Sequence, residues 1–267
     1  MTSPASTPRA RPQWTQSTST PLARTKVPQV TLIFWVIKVL TTGMGEATSD
    51  HFLLDYADPS IVVSVAFLTL IVALVVQIAV RRYIPWLYWA TVVLVSVVGT
   101  MVADILHYLL DVSFAASTVS FAIALAVIFA AWYGTERTLS IHSITTRRRE
   151  IFYWLTVMAT FALGTSAGDL VADTAGLGFL GAGLLFAVAF AVPGVARKAF
   201  GLNATVAFWA AYVITRPLGA SFADLFGMPT ENGGLDLGLG AVSLVLTTAI
   251  VALVGFLSVT QKDSVTP

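Results

Sequence analysis

Four aspartates sit where the spacing of this chain concentrates chemistry. Asp50, Asp104, Asp169 and Asp224 each stand five residues after a glycine, which stands ten after a tryptophan, which itself follows another aromatic residue. The copies read Phe34, Trp35, Gly45, Asp50; Tyr88, Trp89, Gly99, Asp104; Tyr153, Trp154, Gly164, Asp169; and Phe208, Trp209, Gly219, Asp224. Rare residue types recurring four times without a gap mark an internal duplication. Carboxylates gathered at one place oppose one another's ionisation, so protons, a metal ion or neighbouring bases must compensate them.

Positions four apart share a helix face, and the faces that carry these aspartates are polar. They read Lys38, Thr42, Glu46, Asp50; then Ser96, Thr100, Asp104, onward to His107 and Asp111; then Thr165, Asp169, Asp173; and Arg216, Ala220, Asp224. If the stripes converge, Glu46, Asp50, Asp104, Asp169 and Asp224 form an ion or substrate site, with Arg216 and Lys38 as its bases. The candidate metal ligands are Glu46, Asp50, Asp104, His107, Asp169, Asp173 and Asp224. Two bases against six acids leave a deficit that favours a cation. With no Cys in the chain, oxygen donors suit hard ions such as Mg²⁺, Ca²⁺ or Mn²⁺, while His51 or His107 would pull the preference toward a transition metal. Acids relaying protons that drive another solute fit the same residues. Arg216 has Glu46 as its simplest partner, and Pro217 after it predicts a kink by leaving the Val213 carbonyl without its donor.

Plainer readings stand beside these. The aspartates would also mark the outer membrane boundary, the tryptophans anchor in the interfacial belt, and the glycines serve close helix packing. His51 and His107 are as readily interfacial as ligating, His142 belongs to a solvated loop, and Lys38 snorkels to the surface.

The elements that must hold these residues are membrane helices. The chain has 267 residues, 57% of them hydrophobic and 11% charged, with a mean hydropathy of +0.83. A water-soluble domain of this size does not show such values. Eight apolar runs long enough for about 30 Å of hydrocarbon fall at roughly 28 to 51, 60 to 80, 84 to 110, 114 to 133, 151 to 172, 176 to 196, 203 to 226 and 238 to 259. The expected fold is an all-α membrane protein of eight transmembrane helices in four parallel two-helix repeats, at about 28 to 80, 84 to 133, 151 to 196 and 203 to 259. The odd helices, which carry the charges, are expected inside and the even helices outside. Residues 1 to 27 read as a disordered basic arm and not a signal peptide, residues 28 to 260 as one transmembrane domain, and 261 to 267 as a cytoplasmic tail.

Thirteen of the 15 bases, among them Arg81, Arg82, Arg147 to Arg149, Arg197, Lys198 and Lys262, fall on one side of this topology. The alternate loops hold Asp55, Asp58, Asp111, Glu231 and Asp236 and no base. The bias predicts a multi-pass membrane protein with both termini in the cytoplasm. Its expected partners are the lipid bilayer and a small cation or proton; nucleic acid is excluded because the loops are too short for a folded module. Room for a homo-oligomer remains.

The segments FWVIKVLTTGMGEATSD, YWATVVLVSVVGTMVAD, YWLTVMATFALGTSAGD and FWAAYVITRPLGASFAD resemble a family of bacterial membrane proteins built from four tandem two-helix repeats of unknown function, each with a characteristic tryptophan. The resemblance covers about residues 26 to 260 and implies eight helices, with no established substrate. The first copy's second acid, Glu46, is replaced by Thr100, Thr165 and Ala220 in the others. The expected function is a transporter or channel for a cation, either a divalent metal or a proton-coupled solute, acting through the intramembrane carboxylates. The alternative is a non-transporting sensor or assembly factor whose polar residues are structural. No enzyme signature is present; the cofactor stays open, with a divalent cation as the candidate.

Overall fold

A computed structural model describes residues 25 to 55 and 59 to 263. The arm before residue 25, Asp58 and the tail after residue 263 lie outside the described residues. Among the described residues eight α-helices follow in order: α1 (Leu32–Asp55), α2 (Pro59–Ala79), α3 (Pro85–Asp104), α4 (Phe114–Glu136), α5 (Arg147–Asp169), α6 (Gly178–Phe200), α7 (Ala204–Gly227) and α8 (Leu239–Thr260). No strand occurs among the described residues. One turn of π-helix continues α3 over Ile105–Leu109 and another continues α5 over Leu170–Thr174. Local sequence sets the ends. Pro85 opens α3, the Thr146 hydroxyl accepts the Arg149 amide at 3.3 Å to start α5, and the Asn203 side chain accepts the Thr205 amide at 2.9 Å to start α7. At Gly201 the φ of 69° that ends α6 suits a residue without a Cβ.

The odd helices pack in a closed ring, α1 on α3, α3 on α5, α5 on α7 and α7 on α1. Each even helix leans mainly on the inner helix of the following repeat: α2 on α3, α4 on α5, α6 on α7 and α8 on α1. The four units are thereby interlocked head to tail. The even helices expose Leu68, Val72, Val75, Ile123, Val127, Val188 and Val245, an apolar outer coat suited to hydrocarbon. Among the described residues, six helices are long and apolar enough to cross a membrane. Helices α1 and α7, which carry Lys38, Glu46, Asp50, Arg216 and Asp224, fall outside that set.

Two layers show why the motif is spaced as it is. In the first, the aromatic residue of each repeat meets the tryptophan of the next: Phe34 and Trp89 at 5.6 Å, Tyr88 and Trp154 at 5.7 Å, Tyr153 and Trp209 at 6.2 Å, and Phe208 and Trp35 at 5.6 Å between ring centroids. This cyclic girdle corrects the expectation of belt anchors, because Trp89, Trp154 and Trp209 are buried against protein. In the second, each motif glycine receives the side chain three residues before the next repeat's glycine. Gly45 faces Ser96, Gly99 faces Phe161, Gly164 faces Arg216 and Gly219 faces Thr42. A Cβ at Gly219 would lie 2.8 Å from the Gly43 amide nitrogen and one at Gly45 would lie 2.9 Å from the Ser96 carbonyl carbon, so these are close-approach glycines. Equivalent residues meet at equal depth around the ring, so the four inner helices run parallel.

At the base-rich end, Lys26 is buried and ion-paired with Glu150, and also donates to the Gln77 and Ile78 carbonyls at 3.3 and 3.2 Å. This corrects the arm reading for residues 25 to 27, which are tied to α2 and α5. Tyr83 hydrogen-bonds Asp263, whose backbone carbonyl accepts the Gln29 amide at 3.0 Å. Burial pushes the Asp263 carboxyl above the usual carboxylate range, although the Tyr83 hydroxyl acts against the shift. Burial and that bond to Asp263 together push the Tyr83 phenol up.

Candidate functional site

The site starts from one arginine. Arg216 is fully buried on α7, at the position where the other repeats have Thr42, Ser96 and Phe161. Packed over Gly164, its guanidinium reaches across the ring axis. It forms an ion pair with Glu46 on α1, donates to the Thr100 hydroxyl on α3, to the Thr165 hydroxyl on α5 at 2.7 Å, and to the Thr42 carbonyl at 2.8 Å. Thr100 in turn donates to the Glu46 carboxylate at 3.0 Å. Glu46, Thr100 and Thr165 are the same motif position in three repeats, so Arg216 closes one layer of the ring by touching three helices other than its own. Helix α7 continues through Pro217, whose ring packs toward Gly164 and Gly168.

One turn further along lie the four aspartates. Glu46, Asp169 and Asp224 each offer an oxygen atom within 4.8 Å of the others. Asp50 is electrostatically coupled to Glu46 and Asp104, and Asp104 to Asp169; all four aspartates feel Arg216. Glu46, Asp104 and Asp224 are buried, whereas Asp50 and Asp169 keep some exposure. Ser49 donates to Asp104 at 3.4 Å, and one Asp224 carboxylate oxygen is buried without a hydrogen-bond partner. The acids thus form a cup with Arg216 as its floor and Asp50 and Asp169 nearer its mouth.

Three of the candidate residues stand apart from this cup. Lys38 lies on the far side of Arg216, 1% exposed, its ammonium 3.8 Å from the Phe161 ring centroid and 4.3 Å from that of Tyr212. It neither snorkels nor pairs with an acid; aromatic faces hold it inward. His107 sits on the π turn after α3, where its Nδ1 meets the Val112 carbonyl at 2.9 Å and its ring stacks on Phe114 at 3.7 Å. Asp173, on the π turn after α5, is exposed and interacts with His107. The wider turn shifts the register that an α-helical stripe assumes, which carries both outward from the cup. His51 packs beside Gly240 of α8, and His142 is exposed. Sequence reasoning missed Tyr108. It is exposed and within electrostatic reach of Asp50, Asp104, Asp169 and Asp173, and its place four residues after Asp104 was the available signal.

With the histidines elsewhere, the cup offers oxygen only: five carboxylates against one guanidinium. Such a donor set suits a hard cation such as Mn²⁺, Mg²⁺ or Ca²⁺.

A family model described as a repeat of unknown function (DUF347) matches the chain four times, over residues 33–83, 87–138, 152–200 and 207–263. Each match takes in one inner helix and the outer helix after it. No curated protein and no solved structure matches the chain.

Proposed function

The chain belongs to the DUF347 repeat family, and from that premise we propose that it is a transporter that carries a hard cation across a membrane through the acid cup. In this reading all eight helices span the bilayer, with both termini on the cytoplasmic face of a bacterial plasma membrane and the cup opening outward. Charged α1 and α7 are admissible as spans because their ionisable groups face the ring interior. The chain is not an enzyme, and its partners are lipid and the cation.

The observation that carries the reading is the crowding of Glu46, Asp169 and Asp224 oxygens within 4.8 Å, together with Asp50 and Asp104, about a single guanidinium. Uncompensated carboxylates at membrane depth cost several kcal/mol each, and a bound cation removes that cost. Arg216 serves as the gate: while it bridges Glu46, Thr100 and Thr165, the axis is closed. Pro217 leaves that turn of α7 one backbone hydrogen bond short, which lowers the cost of moving it.

Uptake of Mn²⁺ into proteoliposomes tests this. Native protein is expected to admit Mn²⁺ well above protein-free vesicles, and Asp104→Asn to lose at least about tenfold of that rate, a cost of about 1.4 kcal/mol, at an unchanged melting temperature. Native uptake equal to that of protein-free vesicles would end the proposal. A second reading, a non-transporting protein with a structural polar core, is favoured by the number of acceptors around Arg216. It predicts that Asp104→Asn lowers stability and that the native protein passes nothing.

A further inference from the structure

Between Arg216 and the base-rich end the ring interior is not simply apolar. Tyr88, Tyr153 and Tyr212 are buried there, contributed by α3, α5 and α7. The Tyr88 and Tyr153 hydroxyls are hydrogen-bonded to each other, and Tyr153 and Tyr212 are electrostatic neighbours. Toward the surface, Tyr83 packs against Tyr88 with centroids 5.8 Å apart and hydrogen-bonds Asp263. Toward the centre, the Lys38 ammonium lies over the Tyr212 ring. The buried Lys38 Nζ has no hydrogen-bond partner, and the buried Tyr212 hydroxyl has the Tyr153 hydroxyl as its polar neighbour. Buried polar atoms are nearly always satisfied, so a bare ammonium beside this tyrosine line calls for a role. Beyond them, the buried Ser96 hydroxyl, in the Arg216 layer, is likewise without a partner.

We propose that this line of side chains, Asp263, Tyr83, Tyr88, Tyr153 and Tyr212, is a proton access path that ends on Lys38, so that the ion exchanged against the cation is H⁺. The inference rests on the transport reading and names its coupling ion. Each hydroxyl accepts a proton on a lone pair and releases its own, so only H⁺ moves. At Lys38 the Tyr212 O–H bond breaks as a new N–H bond turns the amine into an ammonium, water at the base-rich end restores the protons of the line, and the ammonium releases its proton toward the cup when the cation leaves it. Closure of the Tyr83 to Tyr88, Tyr153 to Tyr212 and Tyr212 to Lys38 steps takes a small side-chain motion or an intervening water. The ionisable groups facing Lys38 are Glu46 along its own helix, Tyr88 from α3, Tyr153 from α5, and Tyr212 and Arg216 from α7; α2 and α8 carry none. Arg216 is the neighbour that feels the change, because an ammonium at Lys38 repels the guanidinium that closes the axis.

The test is proton flux driven by an opposing Mn²⁺ gradient across proteoliposomes holding a pH-sensitive dye, with potassium and valinomycin clamping the voltage. Native protein is expected to carry protons well above protein-free vesicles. Tyr153→Phe and Tyr212→Phe, which remove one oxygen each and keep the ring, are expected to cut the flux at least about tenfold, as is Lys38→Met. Melting temperatures of the two tyrosine variants should match the native value, which keeps the test independent of whether Lys38→Met folds. Native flux at the protein-free level, or native-like flux in both tyrosine variants, overturns the path. Calorimetric binding of Mn²⁺ to the same preparations separates the two claims. Mn²⁺ binding without proton flux overturns the path alone; neither binding nor flux overturns the transport reading on which it rests.

Discussion

The aromatic girdle and the acid cup are built by the same repeat, yet they treat its symmetry differently. In the girdle every repeat contributes an aromatic residue and a tryptophan, and each meets its neighbour's equivalent in the same way. In the cup the aspartates repeat, but the layer beneath them reads Glu46, Thr100, Thr165 and Ala220, and the next Thr42, Ser96, Phe161 and Arg216. Contacts that keep the fourfold pattern close the ring; departures from it place one acid and one arginine where they meet, with one lysine held on aromatic faces beyond them. In a duplicated bundle, broken symmetry is therefore the better guide to function.

This contrast can be broken where it is sharpest. Removing one member of the buried pair, as in Glu46→Gln or Arg216→Met, strands a charge and should lower stability by about 3 to 5 kcal/mol. The double variant should recover most of that loss, read by thermal unfolding in detergent. If the singles and the double melt alike, Arg216 is not held by Glu46 and the gate has no basis. On the symmetric side, Gly219→Ala forces a methyl against the Gly43 backbone and should cost about 1 to 3 kcal/mol. Gly134→Ala, which has nothing within 4 Å, should be neutral or slightly stabilising in the same assay. Equal effects of the two would mean that the glycine notches do not close the ring.

The smallest effect lies at the base-rich end, outside both regions. The Asp263 carboxyl is raised in the folded protein, chiefly by burial. Its contribution to stability is therefore complete below the unfolded value of about 3.9 and is lost as pH rises through the higher folded value. Asp263→Asn should flatten that part of the stability profile, with a change of about 1 kcal/mol. A profile that instead falls toward acid in the native protein and flattens in the variant would reverse the assignment.

Much of this architecture was legible in the sequence, for reasons tied to particular residues. Tryptophan, glycine and aspartate at fixed spacing gave the repeat and the depth of each layer, since rise per residue is constant in a helix. The Arg216 and Glu46 pairing was legible because a buried charge needs a partner and those two stand about one turn apart in depth. Azimuth was not legible: nothing in the spacing told that each tryptophan would face the preceding repeat, leaving Trp89, Trp154 and Trp209 buried. Lys38 escaped for a related reason, since its partners Phe161 and Tyr212 carry no charge to advertise them. His107 and Asp173 were drawn into the ligand set by α-helical counting, which the π turns after Asp104 and Asp169 interrupt. The interlocking of α2, α4, α6 and α8 with the following repeat rests on packing between apolar surfaces that look alike in sequence.

The most direct measurement is the melting temperature of the purified protein against increasing Mn²⁺, with Mg²⁺ and Ca²⁺ in parallel and Asp104→Asn as the comparison. A cation bound only by the folded cup stabilises it by about 2.7 kcal/mol at a hundred times its dissociation constant. The account predicts a concentration-dependent rise for at least one of these ions in the native protein and a much weaker rise in the variant. Native melting that stays flat with all three, or rises equally in Asp104→Asn, would contradict a cation site in the cup.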